Sequence, residues 1–201
     1  MQPENVALVA RIQYYRVYFE KAGTDERIQQ EATALDWVYR ALMRDPQNPE
    51  LQIKLADLLA LEERYGEAVA IMEKLERSTE APQFVQQWLG YYLLFVDDRQ
   101  QEAIDLSLDF HKRFPDETAG LFNAACGYAQ LFEKELQNNA VANETASENR
   151  TLALKYLAEA IKRDSDYKAL AIKQSRPDED FASLVDDPEF LKLTGKSKAE
   201  A

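Results

Sequence analysis

Few residues in this chain are of the kinds that do chemistry. The one histidine, His111, sits in "HKRFP", beside Lys112 and Arg113 near the end of a helical run. That setting predicts a favourable interaction with the carbonyl end of the helix rather than catalysis. The one cysteine, Cys126, lies between Ala125 and Gly127 in a helical pattern and reads as a small packed residue, not a nucleophile. A single cysteine excludes an internal disulfide framework, and with no second ligand beside either residue there is no zinc motif. Asp97-Asp98 and Asp186-Asp187 are paired carboxylates, but adjacent side chains on a turn point apart, so turn chemistry explains them. "LTGKS" imitates the end of a phosphate-binding loop, yet Phe190 stands where that loop's first glycine belongs, and no helix is expected to follow. These residues imply no enzyme, no cofactor and no metal.

Composition points the same way. The 201 residues carry a net charge of −12, a field that repels a phosphate backbone, and no basic stripe offsets it. Nucleic acid is therefore excluded as an expected partner, and a neutral or basic protein segment suits the charge better. The start, "MQPENVALVARIQYY", lacks the pattern of a signal peptide, and nowhere do about 18 apolar residues run together. The expectation is a cytoplasmic protein with no membrane contact. Gly and Pro are few, while Ala, Leu, Glu, Gln, Lys and Arg dominate, which predicts an all-α chain.

The elements that must position any site repeat. "LADLL", "LGYYL" and "AACGYA" align on Ala56, Gly90 and Ala125, which are 34 and 35 residues apart. Each run is followed by a second helix carrying an alanine: Ala68, Ala103 and, much later, Ala153. Pro46 and Pro115 close the basic last turns "ALMRDP" and "HKRFP". Asn48-Pro49 supplies an N-cap and a first-turn proline, and Pro82 suits the second role for the next unit. Gly66 is expected to ease the turn into its helix.

Sixteen residues are inserted before Ala153. They predict a solvated polar loop or a frayed helix extension over 137–150, with Thr145 and Glu148 as a capping box that restarts the helix.

This spacing resembles the tetratricopeptide repeat (TPR), a 34-residue helix–turn–helix unit. Counting from Pro49, Gln83 and Thr118, the family's small residue falls on Ala56, Gly90 and Ala125. Its later alanine falls on Ala68, Ala103 (shifted by one) and Ala153, and its closing proline on Pro46 and Pro115. Its aromatic appears only as Tyr128, where the other units have Leu59 and Leu93. An earlier unit is implied by Ala34, Ala41 and Pro46. The end of the chain is similar to bacterial arrays with a terminal subfamily of the repeat, through Asn123, Ala125 and Cys126, then Ala153, Leu157, Ala160, Ile161 and Asp164, then Asp180, Phe181, Leu184, Asp187, Pro188 and Phe190.

The resemblance implies a single right-handed α-solenoid of about four units (1–48, 49–82, 83–117 and 118–167), capping helices over 168–194 and a frayed tail. Tyr167, Leu170, Phe181, Leu184 and Phe190 are the expected covering residues of the cap.

In that family the first helices line a concave, peptide-binding groove. Here this implies Glu50, Ile53, Lys54 and Asp57, then Phe84, Gln87, Trp88 and Tyr91, then Ala119, Phe122, Asn123 and Cys126. Phe84, Trp88, Tyr91 and Phe95 form one apolar stripe, and Val85, Leu89, Tyr92 and Val96 a second. A helix apolar on both sides must bury both. One stripe belongs to the core; the other takes a partner or is covered by the chain's own terminal helix.

The implied function is a non-catalytic adaptor that binds a peptide or helical segment of another protein. The alternatives are a homo-dimer assembled through the same surface, or a secretion-type chaperone. The carboxylate-clamping form of the family is disfavoured, because Ile53, Asp57, Trp88 and Ala119 stand where its Lys and Asn residues belong.

Overall fold

Three helices of this chain begin where a short polar side chain, Thr24, Asn48 or Asp187, takes up the first free backbone N–H groups. The computed structural model describes residues 3–17, 24–77, 83–138, 144–175 and 179–195. Among these every regular element is helical: α1 (Pro3–Val17), α2 (Asp25–Leu42), α3 (Pro49–Leu61), α4 (Tyr65–Glu76), α5 (Gln83–Leu93), α6 (Gln100–Arg113), α7 (Ala119–Asn138), α8 (Glu144–Arg163), α9 (Asp166–Lys173), a 3₁₀ turn (Ala182–Leu184) and α10 (Pro188–Thr194). Thr24 caps α2 through Arg27 N at 3.2 Å, and Asn48 caps α3 through Leu51 N at 3.2 Å, with Pro49 in the first turn. Such a cap contributes about 1 kcal/mol. Pro82 lies outside the described residues.

The chain divides into two compact units, Met1–Val85 and Gln86–Ala201. In the first, α1 packs on α2, α2 on α3 and α3 on α4. Their shared core holds Val38, Leu51, Leu58, Leu59 and Met72, all essentially without solvent contact. Each such side chain contributes about 1.5–3 kcal/mol of burial. Ala56 and Ala68 are fully buried where α3 meets α4, as their small size required.

In the second unit α6 packs on α7 and α7 on α8, around Ile104, Phe110, Leu154 and Leu157. α5 and α7 both approach α6 closely through glycine: a Cβ on Gly90 would lie 2.6 Å from Ser107 Oγ, and one on Gly120 2.5 Å from the Ser107 carbonyl.

The turns repeat in detail. Glu63 and Asp98, 35 residues apart, both adopt the left-handed conformation, with φ of 60° and 61°. Each is followed by an arginine that pairs with a glutamate three residues on, Arg64 with Glu67 and Arg99 with Glu102, ahead of the buried Ala68 and Ala103. So "EERYGEA" and "DDRQQEA" are one motif. The alanines are in register within it, and the extra residue lies earlier, around the end of α5. The left-handed position is Glu63, not Gly66: Gly66 lies in the first turn of α4 with open space around it. The expectation for Gly66 is corrected accordingly.

The inserted residues mostly lengthen helices. α7 continues to Asn138 and α8 runs from Glu144, so within 137–150 the described residues are helical, as the helix-extension reading expects, and 139–143 lie outside the described residues. Thr145 and Glu148 sit inside the first turns of α8 rather than at its cap.

The C-terminal elements complete the second unit. α9 packs on α8, the 3₁₀ turn on α7, and α10 on both α8 and α9. Phe181, Leu184 and Phe190 have no solvent contact. Asp187 caps α10 through Glu189 N and Phe190 N, and its other oxygen takes the Arg150 guanidinium at 2.5 Å. The glycine of "LTGKS" ends α10 in a left-handed C-cap.

Candidate functional site: an aromatic cleft between α5, α7 and α9

α5 ends at Leu93, so Phe95 and Val96 fall in the following turn. Over the helix itself the two stripes separate as expected. Val85, Leu89 and Tyr92 are buried, while Phe84 and Trp88 are 43% and 39% exposed and Tyr91 is half-buried. The exposed stripe is braced by its own rings. Trp88 lies 5.8 Å from both Tyr91 and Tyr92, and Tyr91 lies 5.1 Å from Phe95. The Trp88–Tyr91 and Tyr91–Phe95 pairs meet edge to face, which fixes these ring positions before any ligand arrives.

Beside that stripe the second unit contains a cleft of about 260 Å³. α5 contributes Gln87, Trp88 and Tyr91; α7 contributes Ala119, Phe122 and Asn123; α9 and the residue after it contribute Tyr167, Leu170 and Gln174. Six residues read from the sequence therefore come together: Gln87, Trp88, Tyr91, Ala119, Phe122 and Asn123. Phe84 and Phe95 do not line the cleft.

Cys126 lies one turn beyond Asn123 and is buried, its sulfur 3.6 Å from Gln174 Oε1. Burial, and then the Asp180 carboxyl beside it, push the Cys126 thiol well above its ordinary value, so the sulfur stays neutral.

The α9 wall departs from the expected groove. Tyr167 and Leu170, read from the sequence as cover for the core, stand at the cleft instead. Phe122 stacks on Tyr167 at 4.8 Å and meets Phe181 edge-on at 5.8 Å. Burial raises the Tyr167 phenol, with Asp164 and Glu117 adding to it, so that side of the cleft is acidic. Asn123 Nδ2 donates to the Gln87 carbonyl at 3.2 Å and ties α7 to α5. Gln174 is the lining residue that sequence reasoning missed. It lies one residue past the end of a short helix, where neither periodicity nor the repeat register reaches it.

The remaining groove residues, Glu50, Ile53, Lys54 and Asp57, belong to the first unit and are engaged there. Lys54 is buried, its ammonium 4.2 Å and 4.6 Å from the centres of the Tyr14 and Tyr15 rings and 3.7 Å from Glu50. Tyr14 donates to Asp57, and Arg11 pairs with Glu50. Ile53 is half-buried.

His111 does not cap its own helix. Its Nδ1 lies 3.0 Å from the Glu117 carbonyl, across the turn into α7. Among the described residues no cluster of His, Cys, Asp and Glu is arranged to hold a metal ion, and no helix is long and apolar enough to cross a membrane.

No family model matches the sequence, and no curated protein matches it. Among solved structures, a chain titled "MamA RS-1 ArsTM double mutant" superposes with a TM-score of 0.59. The match covers 96% of this chain and 97% of that one at 14% identity. Likeness at that identity speaks to the fold alone, and the fold it supports is a TPR-type helical repeat.

Proposed function

We propose that this chain is a non-catalytic adaptor that takes a peptide or helical segment of another protein against the Trp88 face of the second unit. The observation that carries the reading is the cleft beside Trp88. Its rings are pre-positioned, its lining is aromatic and uncharged, and two-fifths of the Trp88 surface is open to solvent. At about 260 Å³ it falls below the range of pockets that enclose a small-molecule ligand, and it suits an apolar anchor side chain on a larger partner. Asp164 and Glu117 beside Tyr167, and the net charge of −12, favour a neutral or basic segment.

In this reading the helices pair as TPR units, α1–α2, α3–α4, α5–α6 and α7–α8, in a right-handed solenoid, with α9, the 3₁₀ turn and α10 as the terminal cap. The compartment that fits is the cytoplasm.

Assembly with a second copy is the other reading. The observation that favours it is the set of exposed apolar side chains in the first unit: Leu8, Ile12, Ile28 and, at 83% exposure, Met43. One experiment separates the two. Wild-type protein, Trp88→Ala and Met43→Asp are used as baits with host lysate, and each is weighed by light scattering. The adaptor reading expects a monomer whose captured protein is lost in Trp88→Ala, retained in Met43→Asp, and shown to bind the purified wild type directly. A concentration-dependent dimer abolished by Met43→Asp, with nothing captured, would replace it with assembly.

A further inference from the structure

Behind the cleft wall lies a buried carboxylate that the adaptor reading does not use. Asp180 precedes Phe181, the ring that seats the C-terminal segment against Phe122 and Phe190. It is only 5% exposed. Its Oδ1 accepts from Gln130 Nε2 of α7 at 2.6 Å; its Oδ2 makes no hydrogen bond of ordinary geometry, and the Cys126 thiol beside the carboxyl is only a weak donor to it. An ionised carboxylate in that position leaves a charged oxygen unsatisfied in the protein interior, whereas the neutral acid removes the charge and gains a donor.

The groups that face it come from three directions. α7 presents Gln130 and the Cys126 thiol, the end of α9 presents Gln174, which holds that thiol, and the segment itself adds Glu179. Of these only Glu179 is charged at neutral pH, and it repels. The backbone of the next residue completes the joint, Phe181 N donating to the Gln174 carbonyl at 2.8 Å.

We propose that Asp180 is a proton-operated latch: when its carboxyl is neutral the segment from Glu179 to Gly195 is clamped on α7, and when it is charged the clamp weakens and the α9 wall of the cleft loosens. The link to the wall runs through neighbours of Asp180: Gln174 lines the cleft and its carbonyl accepts from Phe181 N, and Phe122 lines the cleft and packs on Phe181. Burial raises the Asp180 carboxyl above its ordinary value near 3.8, which sets the sign. A raised acid contributes its full stability below the unfolded value. It loses that contribution as pH rises toward and through the folded one, so the segment is firmest in mild acid and loosest at neutral pH and above. The latch stands without any ligand; only its effect on the cleft rests on the adaptor reading.

The test is hydrogen exchange on the full chain without a partner, from about pH 4 to about pH 8, expressed as protection relative to intrinsic rates. Peptides covering 166–195 are compared with peptides of α4 in the same sample. The expected result is a fall in protection of the 166–195 peptides of up to about tenfold per pH unit over the range in which Asp180 titrates. α4 should not follow it, and Asp180→Asn should lack the fall.

Protection that is flat with pH in the wild type would overturn the latch, as would a fall that persists in Asp180→Asn. So would α8 and the C-terminal segment opening together with the rest of the unit. The wild-type profile decides the matter even if the variant folds poorly. Loss of capture by Trp88→Ala bears on the adaptor reading and leaves this result untouched.

Discussion

In the register read from the sequence Asp57 and Cys126 hold equivalent places, each eight residues after Pro49 or Thr118, and their surroundings solve one problem in opposite ways. In the first unit the face of α3 buries a charge beside Asp57, and α1 surrounds it. Lys54 has two tyrosine rings and Glu50, and Tyr14 serves Asp57. In the second unit the C-terminal segment buries the Asp180 carboxyl beside Cys126, and α7 serves it only in part, through Gln130, leaving Oδ2 without a hydrogen-bond partner. A buried charge with a full set of partners holds elements together at any ordinary pH. One with an orphaned oxygen makes the same joint depend on a proton.

The largest effect should come from breaking the complete site. Lys54→Ala removes a desolvated cation from two rings and a stem packed beneath them, at an expected loss of about 2–3 kcal/mol. Lys54→Met keeps the stem and should recover about half of that. Chemical denaturation followed by circular dichroism reads both. If Lys54→Ala loses no more than a surface lysine does, the rings and the ammonium are neighbours without energetic consequence, and the contrast with Asp180 collapses.

Much of this was legible beforehand. Ala56 and Ala68 marked the contact of α3 with α4, Asn48-Pro49 marked a helix start, and the two stripes of α5 separated into core and open face as their periodicity required. The parts that were not legible share a cause. Gln174 follows a helix of eight residues, too short for a periodic signal, and its role depends on how the chain returns from α9 to Phe181. The chemistry of Asp180 rests on what surrounds it in space, which spacing in sequence does not carry. The "EERYGEA" and "DDRQQEA" correspondence was present in the letters. It was hidden because the one-residue offset was placed at Ala103 instead of before the turn.

A neutral orphan in the second unit sharpens the comparison with Asp180. Ser107 is 2% exposed, and its Oγ has no hydrogen-bond partner. Ser107→Ala should therefore stabilise by about 1 kcal/mol, with no pH dependence. The same hydroxyl blocks Gly90, whose Cβ would come within 2.6 Å of it, while the next atom outside Ser107 stands at 3.7 Å. Gly90→Ala alone should be neutral or harmful. Added to Ser107→Ala it should contribute up to about 1 kcal/mol from helix propensity, a non-additivity that a double-mutant cycle reads directly. Additive effects would mean that the hydroxyl turns aside freely, and that Ser107 is not held as an orphan.

The smallest effect sets the two turns side by side. Asp98 takes the left-handed conformation and is repaid in part by Lys134, which pairs with it and holds its carboxyl below the ordinary value by hydrogen bonding and charge. Glu63 takes the same conformation and, being exposed, strains the turn for no such return. Glycine adopts that φ without the clash of Cβ against the carbonyl, so Glu63→Gly should gain a few tenths to about 1 kcal/mol. Gly66, in the first turn of α4 with nothing near its missing Cβ, should gain a similar amount on Gly66→Ala. Moving the glycine from 66 to 63 in one chain should then raise the melting temperature by about 2–6 °C. Asp98→Gly, which gives up the lysine as it relieves the backbone, should gain less than Glu63→Gly. If the two glycine substitutions gained equally, the Lys134 pair would contribute nothing, and the turns would differ in sequence but not in energy.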